Sequence, residues 1–277
     1  MILLSLSFTF PKGKVVTYNL TEALEKGVAE IGDIEISGER KLKIRVKNLS
    51  SRKDIRIKFT PGLQFASQDT SEQDQVLIRG GNYLVRAGRH IAPSFPTFCT
   101  QSNYLGAGEG SMFALKTSGN DQLLALAEYL NTHRYLGDAA QHAVWVITND
   151  HDLRGLHLDD KSKALQLQSF VAELTGKPLP AYTVRYRRVQ ERRVAFAAEA
   201  ITIHGIHKYD LQEDAYLSCT IYNEKGEAVQ KLFEQMHQRA GHNKIDFTFE
   251  ARDLPKGKYV SKIFSGDKII QEIWIES

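Results

Sequence analysis

At 277 residues, with 42% hydrophobic and 25% charged residues, the chain can bury one large core or two to three small ones, which excludes disorder as the default. A net charge of +3 is only mildly basic, so composition demands neither nucleic acid nor an anionic membrane as partner. The two cysteines, Cys99 and Cys219, cannot form a dense disulfide framework or a CxxC zinc signature; they read as independent thiols in different expected domains, with one disulfide between them as the alternative. No run approaches the roughly 18 apolar residues of a spanning helix.

The opening MILLSLSFTF alternates, with Ile2, Leu4, Leu6, Phe8 and Phe10 on one face. It lacks a basic flank and a small-residue cleavage site, so a β-strand is expected rather than a secretion signal. Within an expected N-terminal domain of residues 1–119, the chain to about residue 98 continues at period two, apart from a short helical stretch near Leu20–Val28. Leu42, Ile44 and Val46 point inward, as do Ile55, Ile57 and Phe59 before the Pro61–Gly62 turn. Gly80, Gly81 and Asn82 make another turn between two apolar runs. Short strands with Gly, Pro and Asn turns at this spacing predict an antiparallel β-sandwich.

Over 120–177 the period becomes helical. Asn120 caps a helix carrying Leu123, Leu124, Ala127 and Leu130. Asp138 opens DAAQHAVWVIT with Gln141 three residues later, the pattern of a capping box. A third helix starts near Asp160, carries Ala164, Leu167, Val171 and Leu174, and stops at Gly176 before Pro178 and Pro180. Residues 178–277 return to strands, with a connector through YTVRYRRVQERRVAF. Leu217, Cys219 and Ile221 point inward there, and turns fall at Asn223–Gly226, Pro255–Gly257 and Ser265–Asp267. The expected fold class is α+β and multi-domain: N-terminal antiparallel β-sandwich, central helical segment, and C-terminal Ig-like β-sandwich.

Two stretches resemble known families. TIYNEKGEAV followed by DLPKGKYVSKIFSGDKIIQEIWI resembles the small Ig-like modules that end secreted proteins of the Bacteroidetes. The matching residues are Ile221, Tyr222, Gly226, Val229, Leu254, Gly257 and Tyr259. That resemblance implies a sorting tail or an accessory stalk, although this chain ends in Ile-Glu-Ser where the family has a basic, valine-rich terminus. FCTQSNYL followed by AAQHAVWVITND resembles the bacterial surface thioester domains. Phe98 and Cys99 match the aromatic–Cys half, while Gln141, Ala143, Val144 and Trp145 match the Gln–Trp half. The resemblance implies an internal thioester between the Cys99 sulfur and the Gln141 carbonyl, able to acylate a surface nucleophile, with Phe98, His142 and Trp145 supporting it.

Each of these residues has a plainer role beside it. Gln141 serves as the capping-box partner of Asp138, Ala143–Trp145 as a packing face, and Cys99 as a small buried hydrophobe. A cysteine hydrolase would pair Cys99 with His142 or His133, oriented by Asn149 or Asp150. NDHDLRGLHLDD gathers Asn149, Asp150, His151, Asp152, His157, Asp159 and Asp160, but fits neither an EF-hand nor an HExxH helix and reads as a solvated loop. His204 and His207 sit three apart on a strand and face opposite sides.

Arg185, Arg187, Arg188, Arg192 and Arg193, with Tyr182 and Tyr186, read as a charged edge strand rather than a nucleic-acid surface. LGAGEGS is a loop, and no P-loop, dinucleotide fingerprint or GxSxG elbow is present. The sequence therefore leads to a bacterial envelope or secreted binding module with a protein or cell-surface ligand and with neither metal nor cofactor. A structural or assembly protein and a cysteine-dependent hydrolase stand as alternatives.

Overall fold

The computed structural model describes residues 15–38, 41–116, 119–188 and 198–277. The expected opening strand over Ile2–Phe10, and Arg192 and Arg193 of the basic run, lie outside the described residues. The chain divides into two compact units, one of residues 1–98 with 107–132, the other of 99–106 with 133–277. Regular structure is mostly strand, with four α-helices among the described residues. No described helix is long and apolar enough to cross a membrane.

The first unit begins with β1 (Val16–Asn19), α1 (Leu20–Glu25), β2 (Ala29–Ile36), β3 (Lys41–Asn48) and β4 (Ile55–Phe59). It continues through β5 (Gln64–Ser67), β6 (Gln75–Leu77), β7 (Gly81–Val85), β8 (His90–Ile91), β9 (Ser94–Cys99) and β10 (Phe113–Leu115). One sheet has the order β1-β4-β7; the other runs β10-β5-β6-β9-β3-β2, with β8 also paired to β3. Their apolar faces share one core, because alternation puts Ile55, Ile57 and Phe59 of β4 and Leu42, Ile44 and Val46 of β3 on buried sides. Phe59 and Phe95 pack within it at a tilt of 39°, 4.7 Å between ring centres.

The all-antiparallel expectation needs one correction: β1 runs parallel to β4, Val16 opposite Ile55. The long connection that parallel neighbours require is supplied here by α1, β2 and β3. The turn at Gly80 also joins strands of different sheets rather than a hairpin. A Cβ at Gly80 would lie 2.0 Å from the Phe59 carbonyl oxygen, so only glycine lets the chain cross over there.

Helix α2 (Asp121–His133) begins as expected, with Asn120 Oδ1 accepting from the Leu123 amide at 3.1 Å. Leu123, Ala127 and Leu130 are buried, but Leu124 remains 41% exposed. The expected boundaries at 119 and 177 differ from the observed division. Helix α2 stays with the first unit as far as Thr132, while α3 (Asp138–Asn149) and α4 (Lys161–Thr175) belong to the second.

The second unit's strands are β11 (Tyr182–Arg188), β12 (Ala198–Leu211), β13 (Ala215–Asn223), β14 (Ala228–Gln238), β15 (Gly241–Glu250), β16 (Lys258–Ser265) and β17 (Lys268–Glu276). They form the sheets β11-β12-β15 and β14-β13-β16-β17. Val184, Ile203 and Phe249 from one sheet share a core with Ile221, Tyr259 and Ile275 from the other.

Side chains explain why α3 and α4 stay with these sheets. Asp160 caps α4 by accepting from the Ser162 and Lys163 amides, and Gly176 ends it at φ 73°. A short 3-10 turn, Leu153–Gly155, brings Arg154 to Asp152 at 2.7 Å and to Glu276 at 3.3 Å, and stacks it on the Tyr182 ring. Lys161 reaches Asp246 at 3.0 Å. Replacing Arg154 with alanine is expected to cost about 1–2 kcal/mol, since a partly buried charged group loses several partners at once. Urea unfolding of the variant measures it.

Candidate functional site

The structure places Cys99 and Gln141 side by side in the second unit, but not through a capping box. The residue before α3 is Gly137, at φ 89°, a conformation that favours glycine, and no side chain caps the helix. Asp138 is therefore the first helical residue, and the Gln141 side chain is released from the role the sequence suggested.

Its carboxamide brackets the Cys99 backbone. Cys99 N–H donates to Gln141 Oε1 at 3.0 Å, and Gln141 Nε2 donates to the Cys99 carbonyl at 2.8 Å. Both ends of the amide are matched, donor to acceptor, as in a β-ladder. Gln141 is 3% exposed, whereas Cys99 is half-buried at the end of β9 and forms no disulfide with the buried Cys219.

From Cys99 the chain runs along α3 to a second anchor. Asn149 Oδ1 accepts from the Ser102 amide at 3.0 Å, and the Ser102 hydroxyl pairs with His151 Nε2 at 2.8 Å. Gln141 and Asn149 are two helical turns apart, roughly 12 Å, which matches the roughly 10 Å reach of the Cys99–Ser102 stretch. Burial first, and then the Lys177 charge, hold the His151 imidazole below its usual range against the opposing pull of Asp150. The ring is thus neutral at neutral pH and suited to a hydroxyl partner.

His142 and Trp145, the expected supporting residues, are both buried on α3. His142 Nε2 lies 2.8 Å from the Asp152 carbonyl, which can only accept, so that nitrogen carries the proton and donates. The imidazole rests on Gly155, where a Cβ would come within 2.2 Å. His151 lies between the two, 5.3 Å from the His142 ring and 5.6 Å from Trp145. Phe98 is buried, while His133, the other base considered for a hydrolase, is exposed at the end of α2. Sequence reasoning missed Ser102, because a serine three residues past a cysteine carries no periodic or motif signal.

Three aspartates of the Asp/His loop are engaged in structure. Asp150 pairs with Lys177 at 2.6 Å, Asp152 accepts from the Arg154 amide, and Asp160 caps α4. Among the described residues, no three His, Cys, Asp or Glu side chains converge to hold a metal. Of the basic run, Tyr182 is buried and Arg187 pairs with Glu199 at 3.0 Å on the edge strand β11. His204 and His207 do face opposite sides: His204 bonds Thr248, whereas His207 is 0% exposed in the core.

A cavity of about 430 Å³ opens on the N-terminal half of α3, floored by Ala139, His142, Trp145 and Val184, with Asp138, Asp159 and Arg185 around it. Its function is not readable from the sequence, because β11 is more than thirty positions from α3 along the chain.

No family model matches the chain, and no curated protein matches it. Among solved structures, the chain is similar to a β-glucosidase from Kluyveromyces marxianus at 10% identity. That likeness covers 88% of this chain and 47% of that one, with a TM-score of 0.21, so the chain spans about half its length. It is also similar to the CBM51-2 and INT domains of Clostridium perfringens ZmpB, at 6% identity over 96% of this chain and 99% of that one, with a TM-score of 0.18. At such TM-scores neither likeness assigns a fold or a function to this chain.

Proposed function

We propose that the protein is a bacterial envelope or secreted binding module, of adhesion type, in which Cys99 and Gln141 form an internal thioester able to acylate a nucleophile on its ligand. The C-terminal strands serve in this reading as an Ig-like stalk. The observation that carries the proposal is the bracket between the Gln141 carboxamide and Cys99.

The chemistry balances. The Cys99 sulfur attacks Gln141 Cδ, an S–C bond forms, the C–N bond breaks, and ammonia leaves with the thiol proton. The Cys99 amide, 3.0 Å from Oε1, is the donor that would hold the oxygen as negative charge develops on it. Burial of Gln141 keeps water from the carbonyl.

The same bracket supports a second reading, a structural or assembly module without covalent chemistry. Both polar ends of the amide already have backbone partners, which suffices to fix the Cys99 segment on α3.

Intact mass separates the two readings. The thioester predicts a mass about 17 Da below that of the sequence, the loss of one ammonia expected of an acyl transfer to sulfur. The deficit should vanish in Cys99→Ala and in Gln141→Ala. A full mass with Cys99 open to alkylation in the folded protein defeats the thioester and leaves the structural module.

A further inference from the structure

We infer that the cavity beside α3 is a binding site for a neutral saccharide, a site independent of the Cys99–Gln141 chemistry. Its lining divides into two zones. The floor is buried and mostly apolar: Ala139, His142 and Trp145 of α3 and Val184 of β11 are each at most 6% exposed. Half-buried Tyr186 adds a second aromatic surface. The charged groups, Asp138, Asp159 and Arg185, are all exposed and stand at the mouth. His157 lines the same space, and burial holds its imidazole below the usual range, so it is neutral near pH 7.

This division decides the class of ligand. An anion entering the mouth meets two carboxylates beside Arg185, and a cation meets Arg185 and the positive end of α3 beside those carboxylates, so the mixed rim selects neither sign of charge. A neutral ligand with a hydroxyl belt meets acceptors on Asp138 and Asp159, donors on Arg185, and the apolar and aromatic lining of Val184, Trp145 and Tyr186. A pyranose has that distribution, with hydroxyls around its rim and C–H groups on its faces. The volume of about 430 Å³ lies within the range of small-ligand pockets and accommodates one or two such rings.

The chain holds two tryptophans, Trp145 on the cavity floor and exposed Trp274 on β17, which supplies a direct reporter. In a Trp274→Phe protein, emission comes from Trp145 alone. It is to be titrated with glucose, galactose, N-acetylglucosamine and their β-linked disaccharides, and in parallel with glycine and inorganic phosphate.

The expected result is a saturable change with at least one saccharide and none with glycine or phosphate. Affinity should weaken at least about tenfold in Asp159→Asn and in Arg185→Ala, the loss of one good polar contact. Both residues are exposed, so these variants keep the fold. The inference is overturned if no saccharide saturates, if glycine or phosphate saturates instead, or if both rim variants bind like the parent.

Discussion

Replacing Gln141 with alanine is expected to destabilise the protein by about 2–4 kcal/mol, the cost of leaving a buried donor and acceptor without partners. The Cys99 amide and carbonyl both lose the Gln141 amide, while the Ser102 contacts to Asn149 and His151 remain. Gln141→Glu should be nearly as harmful. A carboxylate accepts from the Cys99 amide but sets an oxygen against the Cys99 carbonyl, and it buries a charge.

Cys99→Ala makes the measurement diagnostic. The backbone groups survive that change, so the bracket remains, and a purely structural module loses only about 1 kcal/mol of half-buried side chain. A cross-link from 99 to 141 closes a loop of a size at which such links stabilise by roughly 3–4 kcal/mol on the disulfide scale. Urea denaturation of the three variants, read through tryptophan emission, therefore tests the bracket and the covalent bond separately. A Gln141→Ala change below about 0.5 kcal/mol, the range of ordinary surface substitutions, shows that the bracket does not hold the site.

The second large effect is expected at His207, in the core of the second unit. Its Nδ1 lies 3.1 Å from Gln271 Oε1 and its Nε2 2.8 Å from Ser261 Oγ, while Cys219 Sγ stands 3.5 Å from that hydroxyl. The amide oxygen only accepts, so Nδ1 carries the proton, and Nε2 accepts from Ser261, which in turn takes the weak thiol bond from Cys219. His207→Leu leaves Ser261 and Gln271 without this partner and is expected to cost about 2–4 kcal/mol.

The same ring makes the unit acid-sensitive. Burial pushes its pKa below the usual 6.5, only partly opposed by Gln271. Above 6.5 the ring is neutral in both folded and unfolded chains, and stability does not depend on it. As pH falls from 6.5 toward the lower folded value, the unfolded chain binds the proton first, so stability drops; below the folded value the loss levels off. Thermal melts of the parent and of His207→Gln from pH 8 to pH 5 read this directly. The variant should show a shallower acid slope, and an equal slope in both would remove His207 from the account.

Elements whose cause is local were legible in the sequence. Leu42, Ile44 and Val46 alternate inward because a strand has period two, and all three are buried. Asn120, Asp160 and Gly176 mark helix ends because caps and left-handed stops act within a turn. Cys219 points into the core, as the alternation of β13 requires.

What the tertiary structure alone decided depends on groups far apart in the chain. Gln141 three residues after an aspartate looks like a capping box, yet Gly137 takes the cap position and the amide reaches Cys99 instead. The parallel pairing of β1 with β4 and the crossover at Gly80 depend on how two sheets share one core, which no window of sequence encodes. Ser102 meets His151, and His207 meets Ser261 and Cys219, only because strands and helices separated by tens of residues fold together. Alternation and capping are set by nearest neighbours along the backbone, whereas partners across a core are set by packing and hydrogen-bond satisfaction over the whole unit.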